Sequence, residues 1–345
     1  MYFCQIPTST RMRFVKFMLP LLLLLPALFS CNKELNVNAG WKDITVVYGL
    51  LDQSADTTFI KISKAFLGPG DALTFSKIAD SSIYPGKLEV RLDVYNATDS
   101  VGTIPCDTIT IHNKQKGDSI FYYPDQLMYY TKAKLSENYT YKLFIRNKVT
   151  GKVVTSQPVK TQLIHDFEVT RPQVTASFIP GEMFEVRWSP AANAKRYQVL
   201  VRFYYQEYLK SDPLNRTMKS VDWLVDNKIM VIDPLSTQLF DQYFPSDAFY
   251  AVVGGQIKVD STNTIARYAD HCDFIFSVAD VVLNTYMEVT EPSQTIVQEK
   301  PAYTNITNGL GIFSARYTKR MDSLGISTQT RAALRTNEHT KGRGF

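Results

Sequence analysis

The chain has 345 residues but only four cysteines and four histidines, and neither set is spaced to hold a metal. There is no C-x-x-C, and His112, His165, His271 and His339 lie far apart, so no structural zinc is expected. G-x-S-x-G, H-E-x-x-H and a phosphate loop are also missing, which removes the usual local signatures of a serine hydrolase, a zinc protease and a nucleotide-binding enzyme. Gly309 and Gly311 make a lone G-x-G after a turn with no helix pattern following, so no dinucleotide is expected there. Asp270 and Asp273 flank His271 and Cys272, and they read as solvated acids of a loop rather than as a Cys-His or paired-acid site. No cofactor and no catalytic residue is expected. Charge of one sign is also scarce: 38 Lys and Arg stand against 33 Asp and Glu, and nothing in that balance calls for nucleic acid.

A long hydrophobic run is absent too. The most apolar stretch, Phe17 to Phe29, contains Pro20 and Pro26 and falls short of the about 20 residues a spanning helix needs. Arg11, Arg13 and Lys16 precede it, giving the basic and apolar regions of a secretory signal peptide, and Met12 would serve equally as a start. The run "LLLLLPALFSCNKE" then passes through Leu28, Phe29 and Ser30 into Cys31. These residues resemble the lipobox of bacterial lipoproteins, although Phe29 is bulkier than the usual residue there. The resemblance implies cleavage before Cys31, a diacylglycerol on its thiol and an acylated amino terminus. Two or three such chains make a lasting anchor where one holds only marginally. Losing Arg11, Arg13 and Lys16 lowers the net charge from +5 to +2. Cys106 and Cys272 remain, and no bridge between them is expected.

Beyond Cys31 the dominant period is two. "KLEVRLDVYN" sets Leu88, Val90, Leu92 and Val94 on one face and Glu89, Arg91 and Asp93 on the other, as a half-buried strand requires. "ITVVYGLL", "TFIKIS" and "TITIH" follow the same rule. Leu135 followed by Tyr139 at the head of an alternating strand resembles the tyrosine corner of immunoglobulin-like and fibronectin type III sandwiches. After a connector near Pro158, Trp188 and Tyr197 resemble the core aromatics of fibronectin type III modules. Ser246 reads as a helix N-cap, with Gly254 and Gly255 ending or weakening that helix, and Asn308-Gly309 reads as a turn into a strand. The expected organisation is a signal over 1–30, a lipidated tether over 31–42 and a β-sandwich over 43–162. A second sandwich with helical insertions over 163–325 and a basic tail over 326–345 follow. The fold expected is therefore mainly β, with two immunoglobulin-like sandwiches. Residues 316–345 hold seven Lys or Arg against Asp322 and Glu338, and such a tail is expected to be solvated or frayed.

The lipobox, the opening "ITVVYGLLDQSADTTFIKISKAFLG" and the closing "TNITNGLGIFSARY" together resemble an uncharacterised family of Bacteroidota outer-membrane lipoproteins. The resemblance implies an outer-membrane location, on the periplasmic or the cell-surface face, and a link with TonB-dependent β-barrel receptors. It supplies no catalytic residues. The function expected is that of an accessory or adaptor lipoprotein of a receptor or envelope complex. Capture of a glycan or peptide at the surface is the alternative, and hydrolysis a distant third. Candidate contact residues are Tyr122, Tyr123, Tyr129 and Tyr130 in "FYYPDQLMYY", since tyrosines give large contact area at low entropic cost, although strands also favour Tyr for packing. Lipidation at Cys31 has a direct check: Cys31→Ser should leave the membrane fraction and lose palmitate labelling, and unchanged fractionation would overturn the lipoprotein assignment.

Overall fold

Alternating burial along the core strands organises the fold. The computed structural model describes residues 42–67, 82–112, 125–156, 161–232, 237–291 and 303–345. Cys31, the signal, residues 31–41 of the tether and the connector at Pro158 lie outside them. The first half contains β1 (Lys42–Leu51), β2 (Thr58–Leu67), β3 (Leu88–Asn96), β4 (Asp99–Pro105), β5 (Asp107–Ile111), β6 (Gln126–Thr131), β7 (Thr140–Asn147), β8 (Val153–Ser156) and β9 (Thr161–Gln162). There follow β10 (Val169–Arg171), β11 (Thr175–Ala176), β12 (Met183–Trp188), β13 (Arg196–Leu209), β14 (Asp212–Met230) and β15 (Phe240–Pro245). Helix α1 (Ser246–Gln256), β16 (Ile265–Ala279), α2 (Val281–Thr290), β17 (Ile306–Thr307), β18 (Gly309–Ile326) and α3 (Thr328–Thr336) complete the chain. The protein is mainly β, and its sheets are open and layered as in a β-sandwich. Among the described residues no helix is long and apolar enough to cross a membrane.

Nine strands form one sheet in the order β14-β13-β16-β18-β1-β2-β6-β5, with β11 added on β18. A second sheet runs β17-β8-β7-β3-β4, with β9 on β7, and a third runs β10-β12-β15. Leu88, Val90, Leu92 and Val94 of β3 point into the core. On the opposite face Arg91 spans Glu89 at 3.0 Å and Asp93 at 2.8 Å, so the polar half of the alternation becomes a row of ion pairs. The corner tyrosine is Tyr141 rather than Tyr139. Its buried hydroxyl accepts from Ser136 N at 2.7 Å and donates to Ser136 O at 3.1 Å. Tyr197 does the same work later, accepting from Ala191 N at 2.7 Å, and its ring centroid lies 5.5 Å from that of Trp188. Trp188 is fully buried and stacks on Phe240 at 5.2 Å.

One pairing ties the first described strand to the last. β1 lies parallel to β18, from Thr45 opposite Gly309 to Leu51 opposite Ala315, so the large sheet draws strands from both sides of residue 162. The glycines of "NGLGIF" serve this approach. A Cβ on Gly309 would lie 2.6 Å from Thr45 O, and one on Gly311, at φ +107°, would lie 1.9 Å from Val47 O. The turn itself uses Asn308 at φ 60°. Asn305 then bridges the strand through its amide, accepting from Phe313 N at 2.9 Å and donating to Phe313 O at 2.7 Å.

Several local expectations are corrected. Ser246 is the first helical residue and not the cap: Pro245 occupies that position, and the buried Ser246 hydroxyl has no hydrogen-bond partner among the described residues. Gly254 and Gly255 stay inside α1, and at Gly254 the reason is space, because a Cβ would meet His339 O at 2.2 Å. Residues 326–345 are not frayed. Ser327 caps α3 by accepting from Thr330 N at 3.1 Å, Leu334 is buried, and Phe345 packs beside Phe203 and Tyr205. The basic residues dock inward: Arg343 Nε donates to Gly254 O and Ile257 O, both at 2.8 Å, and Arg331 Nε to Ala269 O at 3.1 Å.

Two substitutions test this packing by thermal and urea unfolding. Gly311→Ala combines a strained φ with overlap on β1 and should cost roughly 3 kcal/mol or more, whereas Gly255→Ala, in open space on α1, should be neutral or stabilise by up to about 1 kcal/mol. Trp188→Ala should cost about 3–5 kcal/mol, and an unchanged midpoint would contradict its core position.

Candidate functional site

Outward side chains alternate with core ones along β1, β2 and β6, and β5, exposed throughout, extends the same face, where aromatic and aliphatic residues outnumber the charged Lys61 and Asp107. Tyr48 and Leu50 come from β1, Phe59 and Lys61 from β2, Met128 and Tyr130 from β6, and Ile109 and Ile111 from β5. Cross-strand register assembles them, since Phe59 lies opposite Tyr130 and Met128 opposite Ile109. The Phe59 and Tyr130 rings are 6.2 Å apart, and Tyr48 meets Tyr286 of α2 edge-on at 6.4 Å.

Helix α2 turns part of this face into a groove. It covers Ile312 and Ser314 of β18, both outward-facing yet buried. Asp280 fixes the helix there. Its carboxylate accepts from Leu283 N at 2.8 Å, capping α2, and from Ala315 N at 3.1 Å and the Ser314 hydroxyl, gripping β18. Burial raises the Asp280 pKa, and these donors pull it partly back. Beside α2 lies a hollow of about 360 Å³ bounded by Tyr48, Phe59, Met128, Leu283, Tyr286 and Arg316. A second, of about 260 Å³, continues past Leu50, Leu283 and Arg316 toward Met287 and Arg196. Arg316 sits where the two join and is held by Asp52, Nε to Oδ2 3.0 Å. Asp52 is buried and is anchored in turn by Ser54 N at 3.0 Å. Burial, and then contact with the Tyr48 phenol, raises the pKa of Tyr286.

The four candidate tyrosines part company. Tyr122 and Tyr123 lie outside the described residues. Tyr129 points into the core at 2 % exposure, where burial pushes its pKa up to about 12, so it cannot stack on a ligand at the surface. Tyr130, the next residue and therefore on the opposite face, is half-buried beside Phe59 and belongs to the aromatic face.

The Asp-His-Cys-Asp stretch is part of strand β16 and not a loop. His271 Nδ1 is 2.7 Å from Asp270 Oδ2, its Nε2 is 4.0 Å from Asp273 Oδ1, and its ring stacks on Tyr204 at 4.4 Å. Asp273 is buried and held by Arg320 at 2.9 Å and by Ser323 N at 2.8 Å. Cys272 projects to the other side, into the core, where burial and then Asp273 push its thiol pKa far up. The imidazole and the thiol therefore do not meet. Cys106 and Cys272 are both free thiols, and burial followed by Asp107 pushes Cys106 up to about 12.

Neither a protein-family model nor a curated protein matches this chain.

The Asp280 clamp is testable. Asp280→Ala removes the cap and strands interior donors, so it should cost about 2 kcal/mol and speed amide exchange at Leu283, while Asp280→Asn, which still accepts, should cost less. With its folded pKa raised, the stability this carboxyl contributes is full at low pH and is lost as pH rises through the folded value. Asp280→Asn should flatten that part of a stability-versus-pH profile.

Proposed function

We propose that the chain is a lipid-anchored protein of the cell envelope that works by binding, as an accessory or adaptor of an outer-membrane receptor or envelope complex, with the β1-β2-β6-β5 face as its contact surface. The supporting observation is the exposure of Tyr48 (43 %), Phe59 (42 %), Ile109 (41 %) and Ile111 (42 %) on neighbouring strands of one rigid sheet. Contiguous exposed apolar side chains of this kind mark interaction sites, and aromatic residues are enriched at their centres. A face built on paired strands is already ordered, so little conformational entropy is lost on contact. An anchor at Cys31 would confine the protein to the surface that holds its partner, and a modest interface then suffices. Capture of a glycan is the second reading. It is favoured by the hollow beside Tyr48 and Tyr286, whose aromatic wall and Arg316–Asp52 pair offer both a stacking surface and polar contacts.

Extraction in mild detergent followed by affinity purification should recover a large outer-membrane β-barrel protein. Tyr48→Ala combined with Phe59→Ala should lose that partner while circular dichroism stays unchanged. If the protein elutes alone under several mild detergents, and immobilised glycans retain the native chain but not the double variant, glycan capture replaces the adaptor reading. Retention of the barrel by the double variant would place the contact elsewhere.

A further inference from the structure

Strand edges are unequal in this protein. An edge strand offers unpaired N–H and C=O groups to any extended chain, and proteins usually blunt it with charge, proline, bulges or shortness. Most edges here follow that rule. β14 carries Pro213, Arg216, Lys219, Asp222, Asp226 and Lys228. β4 contains Gly102 at φ 156° beside a register shift and ends at Pro105, β15 ends at Pro245, β10 has three residues, and β17 has two. β5 is the exception. Its sequence Asp-Thr-Ile-Thr-Ile has four β-branched residues, no proline and no basic residue, and all five are exposed. Among the described residues it pairs on one side only, with β6.

We propose that the free edge of β5 pairs with β5 of a second copy of this chain, antiparallel about a two-fold axis at Ile109. The segment is complementary to itself in that register. Ile109 faces Ile109, Thr108 faces Thr110, and Asp107 faces Ile111, so one Ile-Ile pair and two Thr-Thr pairs form at the centre, an Asp-Ile pair closes each end, and the only formal charge in the strand never meets its own copy. A shift of one residue toward the amino terminus would place Asp107 opposite Ile109 and leave Ile111 unpaired within the strand. A two-fold interface of this kind is closed and stops at two copies. Asp107, Ile109 and Ile111 share the outer face with Tyr130 and Met128, as their direct cross-strand pairing requires, so the two sheets would join into one and their aromatic faces would become continuous. This pairing stands whether or not that face binds a receptor.

Disulfide trapping reads the register directly, because only residues opposite each other come close enough to bridge. In a full-length chain whose other cysteines are replaced by alanine, and which therefore carries no lipid, Ile109→Cys should form a disulfide dimer on mild oxidation. Thr108→Cys or Thr110→Cys alone should give several-fold less, while a mixture of those two variants should dimerise. Adding Thr108→Lys and Thr110→Lys to Ile109→Cys should suppress the trap with the thermal midpoint unchanged. No dimer from Ile109→Cys, equal trapping at all three positions, or trapping that survives the lysines in a folded chain would each overturn the proposal. The first of these outcomes is the one expected if a foreign strand, or nothing, occupies the edge.

Discussion

The parallel contact of β1 with β18 is the constraint on which the rest of the structure depends. It brings the first described strand of the chain beside the last, and it can do so only because Gly309 and Gly311 present no side chain to the carbonyls of Thr45 and Val47. Parallel neighbours far apart in sequence are costly to bring together, since a long loop must close before any contact rewards it. The polar bracing around this contact fits that cost. Asn305 clamps Phe313 by both its donor and its acceptor, and Asn308 supplies the left-handed residue that lets β17 turn into β18.

From that pairing the open aromatic face follows. β18 continues into the β16–β13 part of the sheet, β1 continues into β2, β6 and β5, and the outward side chains of both sets share one surface. Over β18 the surface is covered by α2, which Asp280 holds to Ser314 and Ala315. Over β1 and beyond it is open. The groove is thus the boundary between a covered and an uncovered part of the same sheet face, and Arg316 stands on that boundary because its strand carries it there and Asp52 at the end of β1 holds it.

The same economy governs the charged carboxyl-terminal region. Its basic residues are bound to acceptors from other parts of the chain: Arg316 to Asp52, Lys319 to Asp166 at 2.9 Å, Arg320 to Asp273, and Arg343 to backbone carbonyls at the end of α1. The Lys319–Asp166 pair, whose carboxylate is exposed, contributes little to stability by itself. The consequence of these contacts is positional, since they orient a segment whose apolar anchors, Leu334 and Phe345, already pack against the core.

How much was legible beforehand varied with the range of the interaction. Strand identity, the inward faces of β3 and β7, the burial of Trp188 and Tyr197, and the turn at Asn308 all follow from period and local backbone preference, which neighbouring residues largely decide. The same reading chose the wrong corner tyrosine, because Tyr139 and Tyr141 share a face and only contact with Ser136 separates them. It passed over α2, whose valines and threonines favour a strand locally, although Asp280 stood at its head as a capping signal. Charge alone marks residues 326–345 as a loose end, whereas the carbonyls of Ala269 and Gly254 that hold Arg331 and Arg343 lie 62 and 89 residues away in the sequence. The candidate site shows the same division. That tyrosines cluster near residue 130 is visible in the sequence, but which of Tyr129 and Tyr130 faces water, and that Tyr48, Phe59 and Tyr286 lie on the face of the latter, depends on strand order and register. The sequence by itself determined which segments extend, which face of each is apolar, and where the chain can turn. Tertiary structure alone decided which strands meet, because pairing is a property of two segments and no single one of them encodes its partner.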